Sequence, residues 1–144
     1  MNDLLKNIVS CALILILAAC ASQAQQSKSL YDELGRKPGV EALVDAFLVR
    51  LAADEVIVDQ FADTDIDQFR EHLVNQICEL AAGDCVYEGR TMAESHRDLA
   101  IDSRQFNALV ADLMLAMDDV AIPQGAQNEL LAMLAPMHRD IVIH

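Results

Sequence analysis

Apolar residues recur along most of this chain at intervals of three and four, the period of a helix that buries one face. Leu30 to Leu34 predicts a short helix stopped by Gly35, a residue suited to a left-handed turn. Val40, Leu43, Val44, Phe47, Leu48 and Leu51 then share one face. Thr64 predicts a helix cap with Asp67 in the first turn, and Ile66, Phe69, Leu73, Ile77 and Leu80 form the stripe that follows. Beyond Gly83 and Gly89 comes a short helical turn around Met92 to Asp98. Asp102, with Gln105 three residues on, reads as another cap; Phe106, Leu109, Val110, Leu113, Met117 and Val120 form a long stripe behind it. Pro123 opens the last helix, whose buried side carries Leu130, Leu134, Met137, His138 and Ile141. No strand-period run of any length and no internal repeat interrupts this. The pattern predicts an all-α domain: four substantial helices and some short ones around one core.

The start of the chain follows a different rule. Ile8 to Ala19 is an apolar run broken only by Ser10, shorter than the roughly 20 residues that span a bilayer. Preceded by a short segment with Lys6, it suits a signal peptide over residues 1–19. Leu17-Ala18-Ala19-Cys20 resembles a bacterial lipoprotein signal, in which the chain is cut before Cys20 and that thiol is lipidated. The alternative is an ordinary secretory signal cut near Ala21 or Ala24. Residues 20–28 are small and polar, as a tether would be. Residues 29–144 are then one domain, exported and held by lipid at the membrane, facing the periplasm or the cell exterior.

Charge narrows the partners. Removing residues 1–19 takes away Asp3 and Lys6 and leaves the net charge at −13. Such a surface cannot neutralise phosphates, so nucleic acid is a poor partner. Export also changes the reading of the cysteines. Cys11 leaves with the signal, and Cys78 and Cys85 remain in a compartment where disulfides persist. They either bridge, pinning the loop after a helix, or stay as two free thiols. Their spacing is neither a redox motif nor a zinc knuckle.

Among four histidines, His96 stands out. It ends the segment Cys85-Val86-Tyr87-Glu88-Gly89-Arg90-Thr91-Met92-Ala93-Glu94-Ser95-His96, one helical turn after an apolar Met. It reads either as a half-exposed histidine or as a ligand aimed into a closed pocket. Phe47, Phe61 and Phe69 belong to consecutive segments and could converge, as core packing or around a flat apolar cofactor.

The order of these pieces resembles the truncated globins, the short two-over-two haem-binding globins, and most closely their first group. The resemblance runs over residues 29–143. It rests on Ser29-Leu30-Tyr31-Asp32-Glu33-Leu34-Gly35, Val44-Asp45-Ala46-Phe47, Phe61-Ala62-Asp63-Thr64-Asp65 and Tyr87-Glu88-Gly89-Arg90 with Met92 and His96. It continues in Leu99-Ala100-Ile101 followed by Phe106, then Ile122-Pro123 and Leu134-Ala135-Pro136.

The resemblance implies a truncated two-over-two globin fold around a haem pocket and a haem b cofactor, with His96 as the proximal iron ligand. Met92 would pack near the proximal haem face. Phe61 would wedge against the haem plane. Tyr87 would sit at the pocket rim, its hydroxyl toward a propionate. Phe47 would be a core and distal-side residue, and the helix carrying Phe69, His72 and Leu73 would cover the sixth iron position. Leu99, Ile101 and Phe106 complete the set implied to touch haem.

Departures from the family pattern matter as much. Where many members place a distal Tyr, this chain has Leu48; where many place a Gln, it has Leu73. Two polar contacts to bound gas are thereby lost. His72 is the remaining polar distal candidate, either a sixth iron ligand or a residue turned to solvent. His138, two residues after Pro136, matches members whose His bonds covalently to a haem vinyl group; the plainer reading is a helix-end histidine. The Gly-Gly pairs common at the helix junctions are reduced to Gly35-Arg36 and Ala82-Gly83. The function implied is binding of oxygen or another diatomic gas, NO or CO, in the envelope. The alternatives are a bis-histidyl electron-transfer or redox-sensing protein, or a nitric oxide dioxygenase, each needing a reductase or electron partner.

Overall fold

The computed structural model describes residues 28–142; the signal segment, Cys20, most of the tether and His144 lie outside the described residues. Every regular element within that range is helical: α1 Leu30–Glu33, α2 Arg36–Ala53, α3 Ile66–Leu80, α4 Met92–His96, α5 Ser103–Asp119, α6 Gln124–Leu134 and α7 His138–Ile141. Single 3-10 turns occupy Val58–Phe61 and Ala135–Met137. Among the described residues no helix is long and apolar enough to cross a membrane.

The α2 stripe organises the molecule. Val40, Leu43, Val44, Phe47 and Leu51 are buried on it, and α2 packs against both α3 and α5. Val74 and Ile77 from α3, Ala116 and Met117 from α5, and Leu130 from α6 complete the core. Each fully buried aliphatic chain stabilises the fold by about 1.5–3 kcal/mol over its exposed state. Separately, α1 rests on α6, and α4 on α7.

Helix starts follow local side chains. Ser29, Asp65, Thr91 and Asp102 each accept a backbone N–H of the first turn. The cap of α3 is therefore Asp65, one residue later than the Thr64 expected. Thr64 is engaged elsewhere: its N–H donates to Phe61 O at 3.0 Å and closes the preceding turn.

The expected α3 stripe is also displaced. Its fully buried residues are Val74, Ile77 and Cys78, whereas Ile66, in the first turn, is exposed. The last helix is broken rather than continuous. Pro136 has no N–H to give the Ala132 carbonyl, so α6 ends at Leu134 and a 3-10 turn carries the chain into α7. Of the five residues expected on its buried side only Leu130 is fully buried; Leu134, Met137, His138 and Ile141 are half-buried.

The two reduced glycine junctions have a visible backbone consequence. Gly35 takes φ 82° and Arg36 φ 59°, and Ala82 takes φ 62°. Arg36 and Ala82 therefore occupy left-handed backbone that disfavours a Cβ.

Candidate functional site

The segment leading to His96 is built by its own polar groups. Thr91 and Glu94 form a reciprocal capping box, with Glu94 N–H on the Thr91 hydroxyl and Thr91 N–H on the Glu94 carboxylate. The Thr91 hydroxyl and the Thr91 N–H both donate to Glu94 Oε2, at 2.8 and 3.0 Å, and hold the Glu94 carboxyl below its ordinary range, helped by Arg97 and Arg90. The box launches the five residues of α4, and His96 ends it.

His96 Nδ1 lies 2.8 Å from the Met92 carbonyl oxygen. A carbonyl can only accept, so Nδ1 carries a proton, and the neutral ring then keeps its lone pair on Nε2. That tautomer is the one a metal ligand needs. The half-buried imidazole is thus fixed by a backbone group one turn earlier.

Opposite this stands α3. Gln76 Nε2 donates to Met92 Sδ at 3.8 Å, which ties α3 to the first residue of α4. His72 lies one turn before Gln76, on the same α3 face. The half-buried His72 ring meets the Tyr87 ring edge-on, centroids 6.0 Å apart. Tyr87 donates its hydroxyl hydrogen to Arg90 O at 2.7 Å, so the proton expected to face a propionate is used within the loop. Burial raises the Tyr87 pKa. Nearby, Cys78 and Cys85 stand at bonding distance with Cα atoms 5.8 Å apart.

The expected aromatic convergence is partial. Phe61 and Phe69 pack with centroids 5.3 Å apart, joining the Val58–Phe61 turn to α3. Phe47 is instead sealed in the core. Phe106 meets His138 edge-on at 4.6 Å, so two residues expected near the cofactor lie together on α5 and α7. Ile101 is buried, but Leu99 is exposed. Leu48, Phe61, Phe69 and Leu73 pack on the core yet stay half-buried, as do Leu109 and Leu134.

Sequence reasoning passed over Gln76 and the Thr91–Glu94 box. The box had a signal, the T-x-x-E spacing that precedes a helix. Gln76 had a weaker one, its place one turn after His72. The Arg70–Asp45 ion pair, which fastens α3 to α2 beside His72, had none. It holds Asp45 below and Arg70 above their usual pKa values.

Residues 29–143 match the bacterial-like globin family. The chain belongs to that family. The group 1 truncated hemoglobin GlbN of Synechocystis sp. is 30% identical to this globin over 121 residues, covering 81% of this chain and 98% of the relative. GlbN of Nostoc sp. is 35% identical over 89 residues, covering 62% and 75%. Two solved structures share the two-over-two fold. Truncated hemoglobin from Tetrahymena pyriformis, Fe(III) form, superposes with TM-score 0.77 at 22% identity, covering 81% of this chain and all of that one (100%). The 2/2 hemoglobin from Synechococcus sp., in the cyanomet state and with covalently attached heme, gives 0.75 at 24%, covering 80% and 98%.

The globin's own residues fit the haem that the family implies. Among the described residues, no group of three His, Cys, Asp or Glu side chains could hold a metal ion. A single imidazole with a free Nε2 suits iron whose other ligands come from a macrocycle. Half-buried apolar side chains stand on α2, α3, α5 and α6, among them Leu48, Phe69, Leu73, Leu109 and Leu134.

Proposed function

We propose that this chain is a haem b globin of the bacterial envelope that binds oxygen or another diatomic gas at an iron held by His96. The observation that carries this is the bond from His96 Nδ1–H to Met92 O, which fixes the ring and makes Nε2 the lone-pair nitrogen of its neutral form. Haem, when bound, supplies the iron and the gas-binding position. Phe61, Phe69 and Leu73 would line the apolar slot and keep water out. Met92 would sit on the proximal side, tied to α3 through Gln76.

A second reading is a bis-histidyl protein for electron transfer or redox sensing. It is favoured by the distal trio Phe69, His72 and Leu73, in which His72 carries the sole metal-binding nitrogen. With Leu48 and Leu73 in place of donors, bound gas gains little from hydrogen bonding, which also weighs against nitric oxide dioxygenase as the main role.

His138 is a candidate for covalent attachment to haem, in keeping with the attached heme named for the Synechococcus protein. Its ring rests on Phe106, so a bond to haem would start from that contact. Export, lipidation at Cys20 and a Cys78–Cys85 disulfide belong to the same reading, since bonding distance between the two sulfurs suits an oxidising compartment.

The test is reconstitution with haem, followed by ferric and ferrous absorption spectra of the wild type, His96→Ala and His72→Leu. Wild type should retain haem and His96→Ala should lose most of it. A low-spin spectrum that turns high-spin in His72→Leu supports six-coordination; an unchanged high-spin spectrum removes it. Wild-type protein that retains no haem ends the proposal. Haem that stays with the chain after acid denaturation and organic extraction, but leaves His138→Ala, supports the covalent link.

A further inference from the structure

We propose that Tyr87 is a positioning residue that holds His72 back from the iron site, mounted by the Cys78–Cys85 bridge and by Gly89. This rests on the haem-globin reading above. The two rings meet at 78°, the edge-on arrangement that aromatic rings favour.

Tyr87 lies on a loop, yet it is held at several points. Its hydroxyl donates to Arg90 O at 2.7 Å, and its backbone N–H donates to Glu79 Oε1 at 3.3 Å. Two residues earlier, Cys85 is tied to Cys78. Glu79 and Cys78 both belong to α3, the helix that carries His72. The phenol is therefore positioned relative to the helix whose imidazole it touches.

Gly89 completes the mount. A Cβ at that position would collide with the Tyr87 ring and its hydroxyl oxygen. The absent side chain lets the loop fold the phenol over its own backbone and aim its ring at His72. Freed of the bridge, the loop keeps only two hydrogen bonds at Tyr87, both largely exposed.

A His72 that swings to the iron gives up the Tyr87 contact. That contact therefore weights the balance between internal ligation and an open site for gas. Phe69 and Leu73 shape the slot, whereas Tyr87 acts only through His72.

The test uses the haem-loaded full chain. Tyr87→Leu is expected to raise the ratio of low-spin six-coordinate to high-spin five-coordinate iron about two- to tenfold, the range that one aromatic contact carries. Tyr87→Phe keeps the ring and should stay near wild type. The double variant Cys78→Ser/Cys85→Ser should move the ratio in the same direction as Tyr87→Leu, and covers the case in which Tyr87→Leu does not fold. An unchanged ratio overturns the proposal, as does a change that survives in a His72→Leu background.

A second readout needs no haem. In the haem-free chain, the His72 Cε1–H resonance should shift in Tyr87→Leu and hold in Tyr87→Phe; a resonance that ignores both overturns the contact. Loss of haem binding by wild type would sink the globin reading but leave this readout to judge the two rings.

Discussion

The Nδ1 nitrogen of His96 lies 2.8 Å from the backbone carbonyl oxygen of Met92, one turn earlier on the same helix. The bond takes nothing from another element. Its geometry depends on α4 keeping its turn, and that turn is started by Thr91 and Glu94.

Removing the capping box should therefore weaken the site from outside it. Thr91→Ala/Glu94→Ala is expected to cost about 1 kcal/mol of local helix stability. If the Met92–His96 bond loosens with it, haem affinity should fall roughly tenfold, the scale on which partners of a metal ligand act. Haem transfer to apomyoglobin, followed by absorption, measures this. Transfer as slow as from wild type would separate the box from the ligand.

In the proposed haem globin, Leu48 and Leu73 would replace the hydrogen-bond donors that face bound gas. Restoring one, as Leu73→Gln or Leu48→Tyr, should slow oxygen dissociation about tenfold or more, since a hydrogen bond to a charged acceptor contributes ~1.5–3 kcal/mol. Stopped-flow release of oxygen is the measurement. The contrast should be clearest in a His72→Leu background, where no internal ligand competes.

Ala82 holds φ 62°, a conformation in which its Cβ is a liability. A left-handed L-residue costs about 1–2 kcal/mol, and glycine gives back part of that in unfolded-chain entropy. Ala82→Gly should stabilise the fold by roughly 0.5–1 kcal/mol in urea unfolding. Arg36→Gly should gain less, because Arg36 also pairs with Asp32 and lies over the Tyr31 ring. A destabilised Ala82→Gly would contradict the strain argument.

Asp112 offers a pH test. Burial, then the neighbouring Asp54 charge, hold its pKa above the ordinary carboxylate value, partly offset by Arg50; a hydrogen bond with Asp54 adds to the rise. Its Oδ2 is buried without a hydrogen-bond partner. The folded chain thus keeps a proton that the unfolded chain releases. Stability is lost as pH rises from the unfolded pKa to the folded one, and it stays lost above. Asp112→Asn should raise Tm at neutral pH more than at mildly acid pH. An equal change at both values would remove Asp112 as the cause.

Much of this was legible in the sequence, because helix period and caps are local. The Asp102 cap with Gln105 appears as read, and so does the α2 stripe from Val40 to Leu51 except at Leu48, which stays half-buried. Thr64 misled because Thr and Asp at consecutive positions compete for one cap, and the preceding turn decided between them. The unbroken last helix misled because Pro136 follows residues that still fit the helical period.

At the site, the residue types were legible and their pairings were not. His72 with Tyr87, Phe106 with His138 and Gln76 with Met92 join separate segments, so no period in the chain reports them. Leu99 looked apolar enough to be covered, yet it sits on the exposed stretch after His96.

A helix of five residues closes little more than one turn, and such a turn has no cooperative reserve of its own. The element that would offer the iron ligand therefore opens at far less cost than the long helices α2 and α5. Loading with haem should not wait for the core around Leu43 and Met117 to come apart. It needs only the short gate at 91–96 to swing, with the cofactor then acting as the latch. Amide exchange in that gate should run fast in the empty chain and slow sharply once it is filled, while exchange along α2 and α5 barely changes.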